Sequence, residues 1–218
     1  MGGVEKSFVP VRGKPLLAYS VALFQALPEV HEICLVVSRQ SVERARRLAR
    51  ELGWNKVIAV VPGGAERQDS VRAGLDALDG CEWVLVHDAA RPLLTADLVR
   101  RGLEAARRSG AAVAATPVRD TLKRAGRDAA QRDIVETVDR TALWAAQTPQ
   151  VFRADLLHDA FEKIGPAASG LTDDAAVVQA AGQRVVLFDG DPANIKLTVP
   201  EDLPIIEALL AHRTEARQ

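Results

Sequence analysis

Several short segments of the chain carry residue types that handle anions and cations. The apolar run Trp83-Val84-Leu85-Val86 leads into His87-Asp88-Ala89-Ala90-Arg91-Pro92. A carboxylate where such a run stops can hold Mg²⁺, which prefers oxygen ligands and bridges to phosphates. Arg91 is a fixed cation suited to phosphate. The plainer reading makes Asp88 a turn cap and Arg91 a surface charge. No second histidine or cysteine near His87 suggests zinc, so His87 reads as a packed or hydrogen-bonded histidine. A second segment runs Val61-Pro62-Gly63-Gly64-Ala65-Glu66-Arg67-Gln68-Asp69-Ser70-Val71. Its glycines let backbone approach a ligand, and a helix start there offers amides and a dipole to an anion. Arg67 and Ser70 lie about one turn apart and can face one side. Pro-Gly-Gly is equally a plain turn.

A third segment, Asp191-Pro192-Ala193-Asn194-Ile195-Lys196-Leu197-Thr198, holds one of the chain's six lysines in an apolar setting. A compact ammonium kept where arginine supplies most positive charge suggests a point charge is wanted, although a snorkelling surface lysine has the same pattern. Thr148-Pro149-Gln150 offers a hydroxyl or a simple proline turn. In Leu171-Thr172-Asp173-Asp174-Ala175, Thr172 or Asp173 reads as a helix N-cap.

These residues need elements to position them. Continuous apolar runs at residues 32–37, 57–61, 83–87, 111–117 and 184–188 read as strands buried on both faces. Amphipathic helix patterns fall at residues 16–27, 41–52, 66–78, 95–109, 154–163, 173–181 and 200–211. In the second of these, Val42, Ala45, Leu48, Ala49 and Leu52 repeat at helical spacing under a face of Arg and Glu, and Gly53 is a stop. Strand–helix alternation predicts βαβ units and an open α/β sheet, whose ligands bind beyond the carboxyl ends of the strands. Residues 119–140 break the rhythm as two short polar strands around a Gly-containing turn. Such a hairpin is marginal alone. It is either solvated or leans on another surface, such as a second subunit. No linker or repeat divides the 218 residues, which read as one domain with an arm.

Composition narrows the class further. The chain has 48% hydrophobic and 26% charged residues, 28 Lys+Arg against 29 Asp+Glu, and a net charge of -1. Mean hydropathy is -0.01. This is a globular balance that disfavours a broadly basic nucleic-acid binder. No apolar stretch reaches membrane-spanning length, and the first residues lack the pattern of a signal peptide. Cys34 and Cys81 lie in apolar runs and read as reduced core residues of a cytoplasmic protein.

Taken in order, the segments resemble the 2-C-methyl-D-erythritol 4-phosphate cytidylyltransferase family. The match is carried by Lys6 with Phe8 and Pro10, Gly13-Lys14-Pro15-Leu16, Gly63-Gly64 with Arg67 and Ser70-Val71, and His87 to Pro92. It continues through Val118-Arg119-Asp120-Thr121, Thr137-Val138-Asp139-Arg140, Leu143-Trp144, Gln147 to Gln150, Thr172 to Ala175, and Asn194-Ile195-Lys196. The resemblance implies a Rossmann-like, mostly parallel nucleotidyltransferase sheet and an Mg²⁺-dependent reaction of CTP with methylerythritol phosphate. It implies that Lys6 stabilises charge at the α-phosphate, and that Arg140 and Lys196 position the substrate phosphate. Asp88 would bind the metal, Arg91 and Thr121 the sugar-alcohol side, and Thr148 the substrate. Gly63, Gly64, Arg67, Ser70 and Ala89 would surround the nucleotide. The residue 119–140 hairpin would be a dimerisation arm reaching the neighbouring subunit's site.

The same resemblance marks two departures. Family members open with a strand and a loop of the form Ala-Ala-Gly-x-Gly-x-Arg-Met, and this sequence starts at the Met. The expectation is a true start about 20 residues upstream, with very weak or no turnover from a protein that begins at Met1. Ala193 stands where a carboxylate often precedes Asn-Ile-Lys, leaving Asp191 as a weak second metal ligand. A ribitol 5-phosphate cytidylyltransferase is the nearest rival, and a catalytically impaired nucleotide-binding dimer is the rival of another class.

Overall fold

All five apolar runs form strands and all seven amphipathic patterns form helices. The computed structural model describes residues 5–78, 80–126, 133–165 and 170–215. A 3-10 turn at Lys6–Phe8 leads to a small hairpin, β1 (Pro10–Val11) and β2 (Lys14–Pro15). Arg12 and Gly13 both take positive φ in its two-residue turn, the requirement of a type I′ connection. There follow α1 (Leu16–Ala26), β3 (Ile33–Val37), α2 (Val42–Glu51), β4 (Val57–Pro62), α3 (Arg67–Asp76), β5 (Trp83–Val86), α4 (Ala96–Ser109) and β6 (Ala111–Pro117). The arm is β7 (Leu122–Ala125) paired antiparallel with β8 (Ile134–Val138); residues 127–132 lie outside the described residues. The chain closes with β9 (Trp144–Arg153), α5 (Ala154–Ile164), α6 (Asp174–Ala180), β10 (Val186–Asp189) and α7 (Asp202–Glu215).

The expected α/β fold is present, and its central sheet is mixed and in two parts. β3 and β4 pair in parallel as one sheet. The other has the order β10-β6-β9-β5; β10 and β6 are parallel, but β9 runs antiparallel to both β6 and β5. The reason is connectivity. The chain enters β9 from the arm, without the crossover helix that a parallel return needs. Sequence patterning missed β9 because Gln147, Thr148 and Gln150 sit in its buried stretch and read as a polar segment.

Small residues set the packing around β6. Ala111, Ala112, Ala114 and Ala115 are fully buried, which lets α4 lie close to the sheet. A Cβ at Gly102 of α4 would stand 2.9 Å from the Phe188 ring and 3.0 Å from Val151. On one side Phe152, Leu157, Phe161, Val177 and Val178 join β9 to α5 and α6. On the other, Phe8, Leu17, Val21, Val37, Ala45 and Trp54 join α1 and α2 to β3. Fully burying each large apolar side chain is worth about 1.5–3 kcal/mol. The two cysteines are half-buried, and burial pushes the Cys34 thiol up to about 11. Among the described residues no helix is long and apolar enough to cross a membrane.

Candidate active site

Three loops at the carboxyl ends of strands, and the start of α6, converge on Asp88. β5 stops at Val86, so Asp88 rides two residues past its end. Arg67 Nη1 donates to Asp88 Oδ1 at 2.8 Å. Lys196 Nζ stands 2.8 Å, and Arg91 Nε 3.6 Å, from Asp88 Oδ2. Burial alone would raise the Asp88 pKa. The Lys196 hydrogen bond and the charges of Arg67 and Lys196 outweigh it and hold the carboxyl at about 2.

Arg67 has a second partner. Its Nη2 donates to Asp174 Oδ2 at 2.8 Å, at the fully buried start of α6. Burial raises the Asp174 pKa against the opposing pull of Arg67. One guanidinium thus bridges two carboxylates, in the fork geometry that arginine supplies and lysine does not. The sequence signal for Asp174 was the helix start at residue 173. Asp173 is indeed the N-cap, accepting from the Ala176 amide at 2.9 Å, and also accepts from Gln150 Nε2.

The Gly-Gly segment is shaped by its helix. A Cβ on Gly63 would fall 2.7 Å from Ser70 Oγ, and one on Gly64 2.1 Å from the Asp69 Cβ. Only glycine lets this loop fold over α3. Glu66 and Asp69 form a reciprocal capping box at the helix start. Ser70 Oγ accepts from the Gly64 amide at 3.2 Å and donates to the Glu66 carbonyl. Glycine, serine and arginine here form one unit with Asp88 through Arg67. Ala89 packs beside the cluster of Phe8 and Val37.

Thr148, the expected substrate contact, makes internal contacts with Asp88 and His87. Thr148 is buried. Its Oγ1 accepts from the Asp88 amide at 3.1 Å and lies 3.0 Å from His87 Nδ1. His87 Nε2 lies 3.0 Å from the Arg91 carbonyl, which can only accept, so that nitrogen carries the proton and Nδ1 accepts from Thr148. Burial lowers His87 to about 4, with Phe24 packed edge-on against the ring. The neutral histidine and Thr148 therefore fix the backbone that presents Asp88.

Lys196 arrives on the Asn194–Thr198 segment, whose Leu197 amide donates to the Ala90 carbonyl at 2.8 Å. Arg91 Nη1 donates to the Asn194 carbonyl, and the buried Asn194 amide to the Thr148 carbonyl, both at 2.7 Å. Lys6 Nζ donates to the Thr198 carbonyl at 2.6 Å, two residues from Lys196. Arg67, Arg91 and Lys196 thus gather around one ionised carboxylate, and Lys6 is tied to the segment that carries Lys196. Arg140 and Thr121 stand apart on the exposed arm; Arg140 donates to the Arg119 carbonyl, and no described hydrogen bond or ion pair joins either residue to Asp88. Asp191, the alternative metal ligand, pairs with Arg213 at 3.5 Å instead. Among the described residues no group of three or more metal-ligating side chains occurs.

Cations grouped beyond the carboxyl ends of an α/β sheet suit a protein that handles phosphates. The chain belongs to the family described as IspD: 2-C-methyl-D-erythritol 4-phosphate cytidylyltransferase, whose model matches residues 1–212. It is 46% identical over 211 residues to a protein of that name from Dehalococcoides mccartyi (strain CBDB1), covering 96% of this chain and 90% of the relative. A protein of the same name from Symbiobacterium thermophilum is 46% identical, covering 100% of this chain and 89% of its own. Among solved structures, the 2-C-methyl-D-erythritol 4-phosphate cytidylyltransferase of Thermus thermophilus superposes with a TM-score of 0.80 at 37% identity, covering 94% of each chain.

Proposed function

We propose that this chain transfers the cytidylyl group of CTP to 2-C-methyl-D-erythritol 4-phosphate and releases pyrophosphate. A phosphate oxygen of the acceptor forms a bond to the α-phosphorus as the bond to pyrophosphate breaks. The observation that carries the reading is the set of Arg67, Arg91 and Lys196 around Asp88, with Lys6 bound to the segment that carries Lys196, in a chain of this family. Two unit charges about 4 Å apart repel by roughly 4 kcal/mol at an effective dielectric near 20. Bringing two phosphates together therefore needs fixed cations more than it needs a nucleophile or a base.

The residues fit an Mg²⁺ site of the kind completed by substrate. Mg²⁺ is commonly held by one or two carboxylates plus phosphates. Asp88 supplies one hard oxygen ligand, held ionised at neutral pH by its neighbours. Bound there, the metal would offset phosphate charge. Lys196, which now rests on Asp88, is free to turn to the acceptor phosphate. Lys6 serves the α-phosphate, Arg91 and Thr121 the acceptor, and Gly63, Gly64, Arg67, Ser70 and Ala89 the nucleotide end. Thr148 acts by placing Asp88.

The same reading makes the protein a cytoplasmic homodimer. The arm exposes Ile134 at 65% and Val135 at 66%. Apolar side chains on a polar hairpin favour a partner surface. That partner is a second copy, whose site receives Arg140.

The test combines calorimetry with a coupled pyrophosphate assay, using CTP, Mg²⁺ and methylerythritol phosphate, with ribitol 5-phosphate as competitor. Expected are binding of methylerythritol phosphate in preference to ribitol 5-phosphate, and binding and turnover both reduced in Lys196→Ala. Neither binding nor turnover above the Lys196→Ala protein, or a preference for ribitol 5-phosphate, overturns the assignment.

A further inference from the structure

Lys196 and Asp88 reach the site on two loops with no regular structure to hold them together. Residues 190–198 form neither helix nor strand. Backbone of that kind keeps its place only where its donors and acceptors find fixed partners. β9 supplies them. Its pairing with β6 shifts register between Val113 and Ala115, opposite Gln150 and Ala146, and Gln147 and Thr148 fall in that irregularity. Such a break re-aims side chains that a regular ladder would point elsewhere.

Neighbouring residues of β9 grip the two loops. Thr148 Oγ1 accepts from the Asp88 amide. The buried Gln147 side chain takes hold of Asp191. Its Nε2 donates to the Asp191 carbonyl at 3.0 Å, and its Oε1 accepts from the Asp191 N–H at 3.2 Å. A carbonyl only accepts and an amide N–H only donates, so these partners fix which way the Gln147 amide faces. Its Oε1 also accepts from Asn194 Nδ2 at 3.5 Å. The approach is close enough to exclude a side chain at residue 190. A Cβ on Gly190 would stand 2.7 Å from Gln147 Oε1 and 3.0 Å from the Ala115 carbonyl. From Asp191 the hold passes along the chain. The Asp191 carbonyl accepts from the Asn194 amide at 2.9 Å, the Asn194 carbonyl accepts from Arg91, and Lys196 follows two residues on.

We propose that Gln147 is a positioning residue, which touches no substrate and through Asp191 sets where Lys196 stands relative to Asp88 and Arg91. Gln147 and Thr148 together then fix the spacing between the Asp88 carboxylate and the cation that meets the acceptor phosphate. This deepens, and rests on, the proposed reaction, in which Lys196 serves that phosphate. Misplacing a reacting group by about 1 Å can cost about 100-fold in rate. The Gly63-Gly64 turn and the start of α3, which serve the nucleotide, are held by their own capping box and by Ser70. Losing the Gln147 clamp therefore weakens the acceptor side and spares the nucleotide side.

The experiment compares the full chain with two variants. Gln147→Met keeps the length of the side chain and loses its bonds; Gln147→Ala leaves room for water at Asp191. Calorimetry measures binding of methylerythritol phosphate and of CTP, the pyrophosphate assay gives kcat/KM, and hydrogen exchange by mass spectrometry follows residues 190–198 without ligand. Both variants are expected to raise the methylerythritol phosphate Kd about tenfold and to lower its kcat/KM about 10- to 100-fold, with the CTP Kd within about twofold. Exchange in residues 190–198 should quicken about tenfold or more, with β5 unchanged. On top of Lys196→Ala, Gln147→Met should cost less than about threefold more, because the two residues act through one contact. A role in stability alone predicts equal loss of CTP and acceptor binding, and losses that add to those of Lys196→Ala; either result overturns the proposal. So does unchanged exchange in residues 190–198, or a Gln147→Ala protein that is unfolded. A parent chain that binds no methylerythritol phosphate, with exchange quickened in both variants, counts against the reaction and leaves the clamp on the Lys196 segment standing.

Discussion

Replacing Asp88 by Asn removes one negative charge from a site that holds three cations. The consequence for stability can be worked from its pKa. Held at about 2 against the usual 3.8, the carboxylate favours the folded state by about 2 kcal/mol at pH 7. Its side chain is only 12% exposed, so solvent screens this little. A lowered carboxylate pKa contributes stability that is present above the unfolded value and lost as pH falls through the folded one. Asp88→Asn is therefore expected to lower the unfolding free energy by about 2 kcal/mol at pH 7, and by about 1 kcal/mol at pH 3. The assay is urea unfolding of both proteins, without ligand, from pH 7 to pH 3. The midpoint difference at pH 7 should be about 1 M at an ordinary slope for this size. Mutual repulsion of Arg67, Arg91 and Lys196, left without their shared partner, can only enlarge the effect. Equal midpoints at pH 7, or a difference that stays constant down to pH 3, would refute the electrostatic account of this cluster.

Other outcomes follow from neighbouring contacts. His87, held near 4 by burial, stays neutral in the fold while the unfolded chain takes up a proton below about 6.5. The protein should thus lose about 2 kcal/mol between pH 7 and pH 5 through this residue, and His87→Gln should flatten that slope in urea titrations. Gly64→Ala puts a Cβ 2.1 Å from that of Asp69, so the loop must move and the capping box open. A loss of about 1–3 kcal/mol is expected in chemical unfolding. Ile134→Asp with Val135→Asp should halve the mass seen by analytical ultracentrifugation, since both side chains are exposed on the single chain and would meet the partner in the dimer.

Much of this protein is legible in its residues taken locally. The continuous apolar runs, the Asp173 cap and the Gly63-Gly64 turn place strands and helices to within a few residues. They also place Asp88, Arg67 and Lys196 at element ends, where ligands of such sheets bind. Other facts depend on partners far away in the chain. β9 reads as a polar loop until β5 and β6 flank it and Asn194, Asp173 and His87 take up its buried polar groups. Asp174 reads as a helix start until Arg67, 107 residues earlier, joins it to Asp88. Thr148 reads as a lone hydroxyl until folding gives it the Asp88 amide and His87 as partners. Periodicity and capping act over one or two turns of chain, so sequence determines them by itself. Strand order and polar pairing are set by which distant surfaces meet, and only the folded chain decides those.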